Sequence, residues 1–248
     1  MASRPSAAVK LFRVLPRLVF PPSLRPAPRH VAVGGTLLLW APLAARNLLC
    51  EQVEEEEEAV TSAHQAAATG DAPVIRALHK AGLPLESRAP GGLTPAHFAA
   101  ANGHVEALRA LKELGCNLQV GDSTGDTPCH FAALMGKVEA LKTLKELGCS
   151  MAVQTSFGST PAHSAAIRGH TSALRTLKEL GCPLSSTDKQ GATCAHYAAL
   201  HCEEYQEVAK VLRELGCPMD VLDQNGMTAD GLYKDRRITE EIDRRKQT

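Results

Sequence analysis

The chain has 248 residues, enough for one or two domains, and is 44% hydrophobic but only 4% aromatic, so its core must be built from Leu, Ala and Val. Its formal net charge of zero hides an asymmetry. Residues 1–50 hold seven basic side chains (Arg4, Lys10, Arg13, Arg17, Arg25, Arg29, Arg46) and no Asp or Glu, leaving 20 of the 27 basic groups against 27 acidic ones, a net of −7, on residues 51–248. An acidic body without a basic stripe argues against nucleic-acid binding there.

In chain order, "VKLFRVLPRLVF" (9–20) mixes cationic and apolar positions as a short amphipathic targeting helix does. "VAVGGTLLLWAPLAA" (31–45) is apolar but shorter than the ~20 residues of a spanning helix, so no stable membrane span is expected. Residues 1–50 therefore read as an organellar presequence, as a signal h-region behind a long basic n-region, or as a disordered Pro-rich extension with no address. The preferred address is mitochondrial, with plastid or cytoplasmic as alternatives. "EQVEEEEE" (51–58) reads as an acidic linker or the first turn of a capping helix, whose N-terminus favours negative charge.

From residue 59 the chain repeats itself. "LKELGC" stands at 111–116, 144–149 and 177–182, and "LRELGC" at 212–217, at intervals of 33, 33 and 35. A second string runs in phase with it: Thr94-Pro95-Ala96-His97, Thr127-Pro128-Cys129-His130, Thr160-Pro161-Ala162-His163 and Thr193-Cys194-Ala195-His196. Pro at a helix start presets φ and removes an N–H that would be unpaired anyway. Asp122, Asp188 and Asp223 are expected to open tight turns, each with a Gly (Gly125, Gly191, Gly226) three places on. The column Gly70, Gly103, Gly136, Gly169 divides each copy into two helices. In "HVEALRALKELGC", Ala107, Leu108, Leu111 and Leu114 form one apolar stripe with Glu106, Arg109 and Glu113 opposite. Such a helix pair cannot bury its apolar face alone, so neighbours must stack.

These residues resemble the ankyrin repeat family, whose pattern is T-P-L-H-x-A, with Leu here replaced by Ala or Cys and the fourth copy carrying Cys194 at the Pro position. The resemblance implies an all-α fold: an ankyrin-repeat solenoid of stacked helix-turn-helix units joined by β-turn loops, with a disordered N-terminal extension. The copies fall at 59–91 (a cap lacking Pro), 92–124, 125–157, 158–190, 191–225 and 226–248 (a charged partial cap). Two extra residues near "HCEEYQ" (201–206) are expected to lengthen the inter-helix turn of the fifth unit.

The eight cysteines invite a disulfide reading. Cys116, Cys149, Cys182 and Cys217 are equivalent positions of successive copies, expected ~8–10 Å apart and so too far to bond one another. They are read as space-filling thiols. "CAHYAALHC" gathers Cys194, His196, His201 and Cys202 in a short span, but no zinc spacing fits, and it stands as the alternative, a metal- or thiol-dependent role. "GDSTG" (121–125) matches the hydrolase nucleophile elbow, yet it lies in the repeat's turn rather than between a strand and a helix. His97, His130, His163 and His196 look like the family's structural turn histidines. No catalytic residue, metal site or cofactor is expected, so the chain reads as no enzyme.

The family's usual binding surface, formed by turn tips and the exposed ends of first helices, maps onto Leu93, Asn102, Asp126, Leu134, Met135, Phe157, Ile167, Arg168, Lys189, Leu200 and His201. Leu134, Met135, Phe157, Ile167 and Leu200 would make an apolar centre rimmed by polar residues, the composition of an interaction site. The expectation is a monomeric adaptor or scaffold that binds a protein or peptide. On the outer helices, Lys142 is placed to pair with Glu139 and Glu146.

Overall fold

The computed structural model describes residues 62–247, with side chains as far as residue 239. The readings of 1–50 as a presequence, signal or disordered extension, and of 51–58 as an acidic linker, lie outside the described residues. Within them the chain forms helical hairpins. Helix α1 (62–69) pairs with α2 (Ala72–Lys80), α3 (Pro95–Asn102) with α4 (Val105–Glu113), and α5 (Pro128–Leu134) with α6 (Val138–Glu146). Then α7 (Pro161–Ile167) pairs with α8 (Thr171–Glu179) and α9 (Cys194–His201) with α10 (Tyr205–Glu214), before a single α11 (Ala229–Gln247). The only β pairing among the described residues is an isolated bridge between Ala89 and Leu93.

First helices stack on first helices, α3 on α5, α5 on α7, α7 on α9 and α9 on α11, while the second helices α2, α4, α6, α8 and α10 form a parallel row behind them. Small residues permit the close approach. Ala99-Ala100, Ala132-Ala133, Ala165-Ala166 and Ala198-Ala199 are all fully enclosed, and Leu108, Leu141, Leu144, Leu174, Leu177 and Leu212 fill the space between the rows. This is a continuous core that no hairpin could make alone.

The column of glycines between the helices is fixed by the neighbouring copy. Gly136 has φ of 65°, and a Cβ there would stand 2.8 Å from His170 Cγ of the next hairpin. His104 packs in the same way over Gly70, its Nε2 donating to the Ala68 carbonyl at 2.9 Å.

Two expectations change here. The extra residues of 191–225 do not lengthen the inter-helix turn: three residues separate α9 from α10, as they separate α5 from α6 and α7 from α8. Helices α9 and α10 are instead each one residue longer than α7 and α8. Lys142 pairs with Glu139 at 2.9 Å but not with Glu146, because Arg109 of the preceding hairpin reaches Glu146 at 2.8 Å. Arg76 to Glu113 (2.9 Å) and Arg175 to Glu214 (2.6 Å) continue this outer ladder from one second helix to the next.

Candidate functional site

Each first helix begins with the same buried device. Thr94, Thr127, Thr160 and Thr193 are extended N-cap residues, and the histidine three places on turns back to them. In the second full copy, the Thr127 amide donates to His130 Nδ1 at 3.1 Å and the Thr127 hydroxyl lies 2.9 Å from the same atom. His130 Nε2 lies 3.2 Å from the Ser159 carbonyl of the following turn. A carbonyl only accepts, so Nε2 carries the proton and Nδ1 is the acceptor, which makes the ring neutral. His97 reaches the Asp126 carbonyl (2.9 Å), His163 that of Ala192 (3.2 Å) and His196 that of Met227 (3.2 Å). Burial lowers the proton affinity of His97 and His163, and that of His130 to a pKa of about 4. These histidines are braces from one copy to the next. Cys194, standing where the other copies have Pro, leaves the Thr193–His196 cap intact.

The turn tips are held just as regularly. Asp122 Oδ1 accepts the amides of Thr124 (2.8 Å) and Asp126 (2.9 Å), and Asp188 and Asp223 repeat the pattern. Thr155 does so with its hydroxyl, accepting from the amides of Phe157 and Ser159 at 3.2 Å. Successive tips are then joined by backbone bonds: Ser123 to Gly91, Ser156 to Thr124, Lys189 to Phe157 and Gln224 to Gln190. Ser123 therefore sits in an exposed turn with no strand before it, which removes the nucleophile-elbow reading.

Along the face made by tips and first helices, the expected binding residues differ in availability. Phe157 and Leu200 are 47% and 46% exposed. Asn102, Arg168, Lys189 and His201 are also exposed, although Asn102 Nδ2 donates to the Phe98 carbonyl of its own helix. Leu93, Leu134, Met135 and Ile167 are half-buried. Leu134, Ile167 and Leu200 occupy the same place in α5, α7 and α9, 33 residues apart. Asp126 is drawn into its own loop, with Oδ2 2.8 Å from the Thr124 hydroxyl and its carboxyl pKa raised by burial. Sequence reasoning did not include Leu222, which precedes the turn-opening Asp223 and is 58% exposed.

Stitched turn tips, histidine-braced first helices and an outer row of second helices make up a repeat solenoid, and a sequence-family comparison agrees with it. The family model for ankyrin repeats (three copies) matches residues 63–155 and 147–225. The chain belongs to the ankyrin repeat family. Among solved structures, an ankyrin repeat domain from Acinetobacter baumannii is similar in fold, with a TM-score of 0.60 and 24% identity, over 72% of this chain and 92% of that one. No curated protein sequence matches the chain significantly. Ankyrin repeats generally mediate protein–protein interaction, and the family is typically non-catalytic.

The alternative Cys/His site is not brought together. Cys194 lies against Cys217 and the Leu184 carbonyl, His196 spans Thr193 and Met227, His201 lies beside Tyr197, and Cys202 meets the Gly169 backbone position. Among the described residues no cluster of three or more His, Cys, Asp or Glu could hold a metal ion, and no helix is long and apolar enough to cross a membrane. The hexapeptide cysteines are buried and free, as space-filling thiols are, but one of them has a thiol neighbour outside its column. Cys217 Sγ lies 3.6 Å from Cys194 Sγ, whereas Cys149 Sγ donates to the Leu118 carbonyl. The partner comes from the first helix of the same hairpin, not from the repeating column, so spacing along the column could not reveal it. The signal was a second cysteine, Cys194, within the Thr-x-x-His string of that copy.

Proposed function

We propose that this ankyrin repeat chain is a non-catalytic adaptor or scaffold that holds a protein or peptide partner along the face of turn tips and first helices. The observation that carries the reading is the pair of large apolar side chains left exposed on this face, Phe157 and Leu200. Half-buried Leu134 and Ile167 continue the Leu200 row, and charged Arg168 and Lys189 stand exposed on the same face. Exposed apolar groups rimmed by polar ones are the composition of a docking surface. The backbone bonds between tips hold that surface in shape before a partner arrives, which lowers the ordering penalty of association.

The test is a cross-linked affinity purification of the full chain from its native cells, beside a Leu134→Glu, Ile167→Glu variant first shown to be folded. A partner enriched by the parent and lost from the variant is the expected result. Equal retention by both proteins overturns the assignment of this face. We read residues 1–50 as a mitochondrial address within the same proposal; cell fractionation with and without that segment tests it, and an unchanged distribution refutes it.

A further inference from the structure

Cys194 Sγ and Cys217 Sγ stand 3.6 Å apart, and each lies 3.3 Å from the same acceptor, the Leu184 carbonyl. Both are buried, Cys194 fully and Cys217 with 5% exposure. Cys194 opens α9 and Cys217 follows the last turn of α10, so the two thiols meet where the hairpin's two helices lie farthest from their connecting turn. Nothing in the repeat architecture demands this: α3, α5 and α7 have Pro where Cys194 stands.

We propose that Cys194 and Cys217 are a peroxide-reactive dithiol, a modification site that closes to an intramolecular disulfide. The Cys217 sulfur attacks one oxygen of hydrogen peroxide, the O–O bond breaks, and the displaced hydroxide takes the thiol proton and leaves as water. The Cys194 sulfur then attacks the resulting sulfenic sulfur of Cys217. An S–S bond forms, the S–O bond breaks, and hydroxide leaves with the Cys194 proton as a second water. Two thiols are oxidised and one peroxide is reduced to two waters.

The surroundings assign the order of events. Cys217 keeps slight exposure where Cys194 has none, and its hydrogen bond with Cys194 lowers its pKa against the opposing effect of burial, with the Lys178 charge acting in the same lowering direction. The thiolate is the nucleophile, so Cys217 attacks and Cys194 resolves. Bond formation asks the sulfurs to approach from 3.6 Å to about 2.05 Å, a motion of side-chain rotation. The oxidant is a small one because the site is enclosed. Cys217 is the thiol it meets first, because Cys217 keeps 5% exposure and follows the exposed Gly216 while Cys194 is fully enclosed. The bond would enclose residues 194–217 and anchor a helix start that lacks the Pro of its neighbours, constraining the unfolded chain. None of this depends on the docking face.

The test uses the reduced full chain, treated with hydrogen peroxide under native conditions, alkylated and digested with trypsin without reduction. Cys194 and Cys202 share the peptide 190–210, and Cys217 lies in 214–234. The expected product is a link between these peptides that dithiothreitol reverses, that Cys202→Ala retains and that Cys194→Ala abolishes. Oxidised parent protein should also unfold at a higher temperature than reduced parent, a shift missing in Cys194→Ala. Cys194→Pro, the residue of the neighbouring copies, provides a second variant if Cys194→Ala folds poorly. Absence of the linked peptide, its persistence in both Cys194 variants, or conversion of Cys217 to a sulfinic acid without a link overturns the proposal.

Discussion

Acid should unfasten this solenoid through its turn histidines, and His130 lets the size of the effect be worked out. Its pKa is lowered to about 4 by burial, from an ordinary 6.5, and it is neutral in the fold because Nδ1 accepts from Thr127 while Nε2 donates to Ser159. In the unfolded chain the ring binds a proton near its ordinary value; in the fold it does not. The stability it contributes is therefore full above that ordinary value and is lost as pH falls toward the folded one. The loss is about 2 kcal/mol by pH 5 and about 3 kcal/mol once both states are protonated. Burial lowers His97 and His163 in the same direction, so their losses add. Asp126, raised by burial, works in the opposite direction. A His130→Gln variant separates the histidine's share, because Gln at this helix position can still accept from the N-cap amide but does not titrate. The assay is urea unfolding of parent and variant at about pH 7 and about pH 5. At the higher pH the parent should be the more stable, by about 1 kcal/mol for the lost bond to Ser159. Toward the lower pH the parent should lose about 2 kcal/mol more than the variant, reversing or erasing that lead. Parallel losses in the two proteins would show that the buried ring is not the titrating group, and the reasoning would fail.

The remaining expectations test how one copy grips the next. Gly136→Ala should destabilise more than Gly148→Ala: both glycines have positive φ, but only at Gly136 does a Cβ meet the following hairpin, at His170, while at Gly148 nothing lies within 4 Å. The strained backbone alone costs about 1 kcal/mol, so equal urea midpoints for the two variants would refute the packing argument. Arg236→Ala should lower the thermal midpoint and speed proteolysis of α11, because Arg236 Nη1 donates to the Ala199 and Cys202 carbonyls at the end of α9 at 3.3 and 3.0 Å. An unchanged midpoint and cleavage rate would mean that α11 docks without that contact. Lys142→Arg should restore the missing rung of the outer ladder by reaching Glu179 across the hairpins, as Arg109 reaches Glu146 and Arg175 reaches Glu214. Its gain should disappear at high salt; a gain independent of salt would have another origin.

What could be read from the sequence, and what could not, divides along the repeat. The Thr-x-x-His caps, the glycine column and the Leu and Ala stripes recur at a fixed interval, and a solenoid fixes such residues because each copy solves the same packing problem against the next. The helix hairpins and the turn histidines were therefore legible before any coordinates. Contacts between non-equivalent positions were not. Glu146 sits at the right interval from Lys142 for a pair within one helix, yet Arg109 of the neighbouring copy takes it. Cys217 was compared with its equivalents Cys149 and Cys182, whereas its thiol partner Cys194 belongs to another column. Asp126 looked available at a turn tip, but the preceding Thr124 hydroxyl draws it inward. Periodicity identifies which residues are alike; it is silent on which unlike residues meet. In a repeat protein those unlike meetings are where one copy departs from its neighbours. The features peculiar to single copies, the exposed Phe157 where the neighbouring turns have Thr124 and Gln190, and the paired thiols of α9 and α10, are found at just such departures.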